Sequence, residues 1–173
     1  PGLGFGYEEA IGFCPDPAHV RDKDGIATSV VAASLVASLK AQGRSVWDEL
    51  ERLARLHGLH VSSPLTFRVD DIEQISSGMA RLRAQPPTVL AGSPVVEVSD
   101  LAQGYRGLPP TDGVLVLTEA GDRVIARPSG TEPKLKCYLE VILPVADGEP
   151  LPWEQARERL DAIKGAFAEI IGL

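Results

Sequence analysis

Arg123-Val124-Ile125-Ala126-Arg127-Pro128-Ser129-Gly130-Thr131-Glu132-Pro133-Lys134-Leu135-Lys136-Cys137-Tyr138-Leu139-Glu140-Val141-Ile142-Leu143 reads as strand, loop, strand. Arg123 to Ala126 is β-branched and apolar, and Leu135 to Leu143 alternates with period two. Between them Pro128 and Pro133 restrict the backbone, and Gly130 permits a positive φ. Ser129 and Thr131 set hydroxyls beside backbone N–H groups. Such a turn can wrap an anion: Arg127 offers a planar two-pronged donor, and Lys134 or Lys136 a point charge. No helix follows, so the donors would be a nest of backbone amides. The same residues also fit an ordinary hairpin connection. Charge distribution favours the anion reading: the formal net charge is −7 and there are 5 lysines, yet two of them flank this loop.

Working outward, Val61–Val69 reads as a strand, and Ile72, Ile75, Met79 and Leu82 fall at helical spacing after Asp70 or Asp71. Gln85-Pro86-Pro87 ends that helix. Pro94–Val98 and Val114–Thr118 read as strands, and Glu119 to Asp122 as a hairpin connection into Arg123. Trp153, Ala156, Leu160, Ile163, Phe167 and Ile170 mark a terminal amphipathic helix. The class is α+β, with two helices covering one face of an antiparallel sheet. Upstream, Asp24 caps a helix from Ile26 to Leu39 whose Ala-, Val- and Leu-rich surface predicts burial on most faces. Gly43 stops it, Ser45 opens a second helix with a capping box, and the pattern changes near residue 60, where the domain boundary is placed.

Composition is that of a globular protein, 44% hydrophobic and 24% charged, which excludes disorder. Net acidity without a basic stripe argues against nucleic acid and against an anionic membrane surface, and no 18-residue apolar run is present. Cys14 and Cys137 lie far apart with no CxxC spacing, which predicts reduced thiols and a cytoplasmic setting, with Cys137 buried on a strand face. His57 and His60 lack a third ligand at useful spacing, so a metal role is not expected. Glu8-Glu9, in a Gly-rich opening that reads like the interior of a longer chain, is either a solvated pair or a carboxylate fork for vicinal hydroxyls. Lys23, beside the capping Asp24, is the freer residue of Arg21-Asp22-Lys23-Asp24-Gly25.

Arg127-Pro128-Ser129-Gly130-Thr131-Glu132-Pro133-Lys134 resembles the phosphate-binding loop in the last domain of the α-D-phosphohexomutases, the phosphoglucomutase and phosphomannomutase superfamily. Gly6-Tyr7-Glu8-Glu9-Ala10-Ile11-Gly12-Phe13 resembles that superfamily's sugar-binding loop, with Ala10 where a serine is usual, and Lys23-Asp24-Gly25 resembles its substrate lysine turn. The motifs occur in the family's order along essentially the whole chain. The sugar loop looks most similar to the subgroup holding phosphoglucomutase-2-like, phosphopentomutase and some actinobacterial phosphomannomutase sequences.

The resemblance implies that residues 1–60 end an α/β third domain with two helices, and that 61–173 form a TATA-box-binding-protein-like fourth domain. It implies sugar hydroxyls on Glu8 and Glu9, and phosphate on Lys23, Arg127, Ser129, Gly130, Thr131, Lys134 and Lys136. It further implies interconversion of 1- and 6-phosphosugars through a bisphosphorylated intermediate, with glucose 1,6-bisphosphate or an equivalent as activator and with a phosphoserine and Mg²⁺ supplied by further N-terminal mutase domains. No Thr-x-Ser-His-Asn-Pro-like nucleophile loop and no Asp-Gly-Asp-x-Asp-Arg metal loop occurs in these 173 residues, so this portion alone is expected to be inactive. The alternative is a non-catalytic phosphosugar- or anion-binding module. Glucose, mannose and pentose phosphates all remain open as substrates.

Overall fold

The computed structural model describes residues 3–8, 12–130 and 132–172. Contacts divide the chain into two compact units, Pro1–Arg52 and Leu53–Leu173. The first holds a two-stranded antiparallel ribbon of β1 (Gly6–Glu8) and β2 (Gly12–Cys14), then α1 (Gly25–Ala41) and the start of α2 (Val46–His57). Neither ribbon strand was legible in sequence, because three residues are too short for a period-two signal.

Helix starts follow the local chemistry. Asp24 Oδ1 accepts from the N–H groups of Ile26 and Ala27, each at 3.0 Å, filling two donors that the first turn of α1 leaves open. Ser45 and Asp48 form a reciprocal box: the Asp48 N–H donates to Ser45 Oγ at 3.2 Å and the Ser45 N–H to Asp48 Oδ2 at 2.6 Å. Arg44 and Arg52 both engage Glu49, and hydrogen bonding from Arg52 is the main cause that holds this carboxyl down at about 2.

The expected burial of α1 is not met. Ile26 is 83% and Val30 67% exposed, and among its described side chains only Leu39 is buried. The physical reason is circumferential. Apolar residues surround the whole helix, while the described strands of its own unit form a ribbon too small to cover it.

The second unit is a six-stranded sheet ordered β3-β8-β7-β6-β5-β4, antiparallel throughout. Its strands are β3 (Leu59–Arg68), β4 (Val89–Leu90), β5 (Ser93–Asp100), β6 (Val114–Thr118), β7 (Arg123–Pro128) and β8 (Lys134–Leu143). Both helices, α3 (Ile72–Ala84) and α4 (Trp153–Ile171), pack on the same face. Leu135, Cys137, Leu139, Val141 and Leu143 point from β8 into that core, where they meet Met79 and Leu82 of α3 and Leu160, Ile163 and Phe167 of α4. Burial pushes the Cys137 thiol up to about 12, so it is a small apolar core residue, as its strand face predicted.

Two polar contacts fasten the helices. Arg81 Nη1 donates to the Ile171 carbonyl at 2.7 Å, satisfying an open acceptor at the end of α4. At the β6–β7 hairpin, Asp122 is fully buried and accepts two parallel bonds from Arg159 of α4, at 2.7 and 2.8 Å. The Thr118 hydroxyl donates to the same carboxylate at 3.0 Å and accepts from the Asp122 N–H at 3.1 Å, so all three groups are partnered. His60 lies on β3, 3.4 Å from Glu140.

Candidate functional site

The chain joins β7 to β8 through Ser129 to Pro133, the loop singled out by composition. The Ser129 N–H donates to the Lys134 carbonyl at 2.9 Å, which closes the turn and removes that amide from any nest. Gly130 does not adopt a positive φ, contrary to the use expected for its freedom. A Cβ built there meets nothing within 4 Å, so neither backbone strain nor packing demands glycine at this position. Thr131 lies outside the described residues.

Strand register decides which side chains share this end of the sheet. Arg127 stands opposite Lys136 across β7 and β8, and Arg68 stands opposite Lys134 across β3 and β8. Directly opposed residues project to one face, and Lys134 and Lys136 are two apart, so all four cations lie on the face away from α3 and α4. The Val69 N–H donates to the Pro133 carbonyl at 3.1 Å and ties the end of β3 to the loop. Glu132 is the acid among them: it engages Lys134, and its Oε1 lies 3.9 Å from Arg68 Nη1. Hydrogen bonding from Lys134 lowers the Glu132 carboxyl below its ordinary value, with Arg68 and Lys136 adding to the effect. Among the described residues no ion pair engages Arg127 or Lys136. Arg68 was missed in the sequence because only pairing with β8 brings it here.

In the first unit, a cavity of about 680 Å³ is lined by Tyr7, Glu8, Cys14, Arg21, Asp22 and Lys23 among others. The Asp24 N–H donates to the Phe13 carbonyl at 2.9 Å, which fixes the lysine turn against β2. Lys23, expected to be the freer residue, is committed: its ammonium donates to Glu8 Oε1 at 2.6 Å, and that hydrogen bond raises its pKa above the ordinary lysine value. One carboxylate oxygen of Glu8 is therefore already engaged. Glu9 and Ala10 lie outside the described residues. Gly12 makes the Glu8–Lys23 contact possible, since a Cβ there would sit 2.7 Å from Lys23 Cδ and 2.8 Å from Glu8 Cδ. Gly12→Ala is expected to leave the unit folded, because flexible side chains can move aside, but to part the pair. Titration of the Lys23 ammonium by NMR should then show its pKa falling back toward the ordinary value; an unchanged pKa would remove Gly12's role as spacer.

Among the described residues no group of three or more His, Cys, Asp or Glu side chains could hold a metal ion. The magnesium implied by the resemblance finds no donor set among the described residues. Among them, too, no single helix is long and apolar enough to cross a membrane.

An antiparallel sheet backed by two helices on one face, with a short loop between β7 and β8 flanked by cations on the strands, defines an α+β domain. Residues 67–149 match the family described as "Phosphoglucomutase/phosphomannomutase, C-terminal domain". The chain belongs to the phosphoglucomutase/phosphomannomutase superfamily and carries its C-terminal domain. It is 42% identical over 139 residues to the protein named "Probable phosphomannomutase" from Haemophilus influenzae, covering 80% of this chain and 28% of that protein. It is 34% identical to a phosphoglucomutase from Staphylococcus haemolyticus (79% and 27% covered) and 28% identical to the mouse phosphopentomutase (95% and 28% covered). A phosphoglucomutase from Paramecium, pp63/parafusin in an open form, shares the fold with a TM-score of 0.61 at 18% identity, covering 95% of this chain and 30% of that one. The chain thus spans under a third of the length of these relatives.

Proposed function

We propose that the chain is the substrate-holding portion of a longer phosphosugar mutase that interconverts 1- and 6-phosphohexoses through a bisphosphorylated intermediate. In this reading residues 1–60 end the third domain and 61–173 form the fourth. Arg127, Ser129, Gly130, Thr131, Lys134 and Lys136 receive an ester phosphate, Lys23 is a further phosphate contact, and Glu8 and Glu9 accept from sugar hydroxyls. The observation that carries it is the pairing of Arg127 with Lys136 at the mouth of the Ser129–Pro133 loop, in a chain of net charge −7. Concentrating cations in an acidic protein opposes the general trend of its surface, and a phosphate dianion is the chemistry that repays it. Gly130 supports the reading as well, since access of a ligand to the backbone is a reason for glycine that neither strain nor packing supplies.

Phosphoryl transfer needs an in-line nucleophile and a divalent metal ion, and in this reading these residues supply neither. Their part is to orient the sugar phosphate and neutralise its charge. The nucleophile and Mg²⁺ belong, in this reading, to preceding domains. A reducing, cytoplasmic setting is part of the proposal, supported by the free thiols of Cys14 and Cys137.

Inorganic phosphate titrated into the chain is expected to shift the amide signals of Ser129 and Gly130 saturably at millimolar concentration. A longer enzyme containing the chain is expected to turn over glucose 1-phosphate or mannose 1-phosphate, while the chain alone turns over neither. Loop amides indifferent to phosphate, or turnover by the isolated chain, would overturn the assignment.

A further inference from the structure

We propose that Arg68 is an additional anion-contacting residue of the Ser129–Pro133 loop, and that Glu132 is an internal stand-in anion that a phosphate dianion displaces. The proposal rests on the phosphate reading of this loop and adds one residue from a different strand, together with a competitor built into the loop itself.

Three observations carry it. First, Arg68 is opposed to Lys134 in register and so faces the same side as Lys134, Lys136 and Arg127. The Val69–Pro133 hydrogen bond fixes the adjacent backbone, so this proximity belongs to the sheet and not to a wandering side chain. Second, the two oxygens of Glu132 serve different cations: Oε2 engages Lys134 and Oε1 faces Arg68. Two oxygens of a phosphate could meet the same two donors, which makes the carboxylate a mimic of the ligand. The depressed Glu132 pKa follows from the same cations and marks a local potential that favours a negative charge at this spot. Third, Arg68 holds this carboxylate only at 3.9 Å and is largely exposed, so it can turn to a second anion without disturbing any core contact.

The exchange is a competition. With Glu132 in place, the loop carries its own partial neutralisation. A monoester dianion brings more charge and more acceptor atoms than one carboxylate, so it takes Lys134 and Arg68, and Glu132 moves out toward solvent, where half its side chain is already exposed. A singly charged anion lacks that advantage and competes poorly. The loop thereby prefers phosphate monoesters to carboxylates and chloride.

The test uses the whole 173-residue chain with inorganic phosphate as probe, following the Ser129 and Gly130 amides at slightly alkaline pH. Arg68→Ala is expected to raise the Kd for phosphate about threefold to tenfold, the range of one partly screened charge-assisted contact, and Arg68→Lys to recover most of it. Glu132→Gln is expected to lower the Kd. Arg68→Ala introduced on top of Glu132→Gln should still raise it, because Arg68 touches the anion directly. If its effect vanishes in that background, Arg68 serves only to neutralise Glu132 and the inference fails. If Arg68→Ala changes nothing while Arg127→Ala weakens binding, the inference fails and the phosphate reading of the loop stands. If Arg127→Ala is also without effect, that reading fails, and this inference with it.

Discussion

Replacing Arg159 by Met is expected to cost the Leu53–Leu173 unit about 3 kcal/mol of folding free energy, toward the low end for an orphaned buried charge. Asp122 has no solvent exposure and depends on the two Arg159 donors and the Thr118 hydroxyl. Removing the guanidinium leaves a desolvated carboxylate whose remaining described partner is the Thr118 hydroxyl. The low end applies because the Arg159 side chain is 29% exposed, so some water can reach the vacated place. Pairing Arg159→Met with Asp122→Asn should restore much of the loss, since the second change removes the charge that was stranded. Denaturant midpoints at unchanged slope measure both effects. A loss below about 1 kcal/mol for the single variant would mean that the pair behaves as a surface contact, and its structural role would be withdrawn.

The other large effect belongs to Arg127. In the longer enzyme proposed above, Arg127→Ala is expected to raise the KM for a phosphosugar about tenfold to a hundredfold, as losing a charge-assisted contact of 1.5–3 kcal/mol implies, with a smaller change in kcat. The reasoning is that the loop holds the phosphate in the ground state and in the transition state alike, so binding suffers more than chemistry. Arg127→Lys should recover only part, because an ammonium cannot donate two parallel bonds. Unchanged KM and kcat would remove Arg127 from the site. A kcat loss with KM preserved would move it from holding the substrate to stabilising the reaction.

Much of the fold was legible because its signals are local. Asp24 and Ser45 cap helices as their spacing predicts, and of the two candidates Asp70 and Asp71 it is Asp71 that caps α3, since a cap requires only the residue and the two or three amides that follow. Val114–Thr118 was read at its observed limits, and the alternation of β8 reports one covered face directly. What escaped depends on partners distant in sequence. The Glu8–Lys23 contact spans 15 residues and needs β1 to pair with β2. Arg68 lies 66 residues from Lys134, and no periodicity reveals that β3 and β8 are neighbours. The composition of α1 predicted burial on most faces, and the described residues do not show it, because composition is silent on what would do the covering. For the loop, sequence supplied the cations, and only the pairing of three strands shows which of them can act together.

Strand β7 begins directly after Asp122 and carries Arg127 near its other end, so roughly five residues, or about 17 Å of extended chain, separate the buried ion pair from the basic loop. That distance makes heat tolerance and ligand affinity separately adjustable traits. Selection, or an engineer, can strengthen the Asp122 end for life at a higher temperature and leave recognition at the Arg127 end as it was.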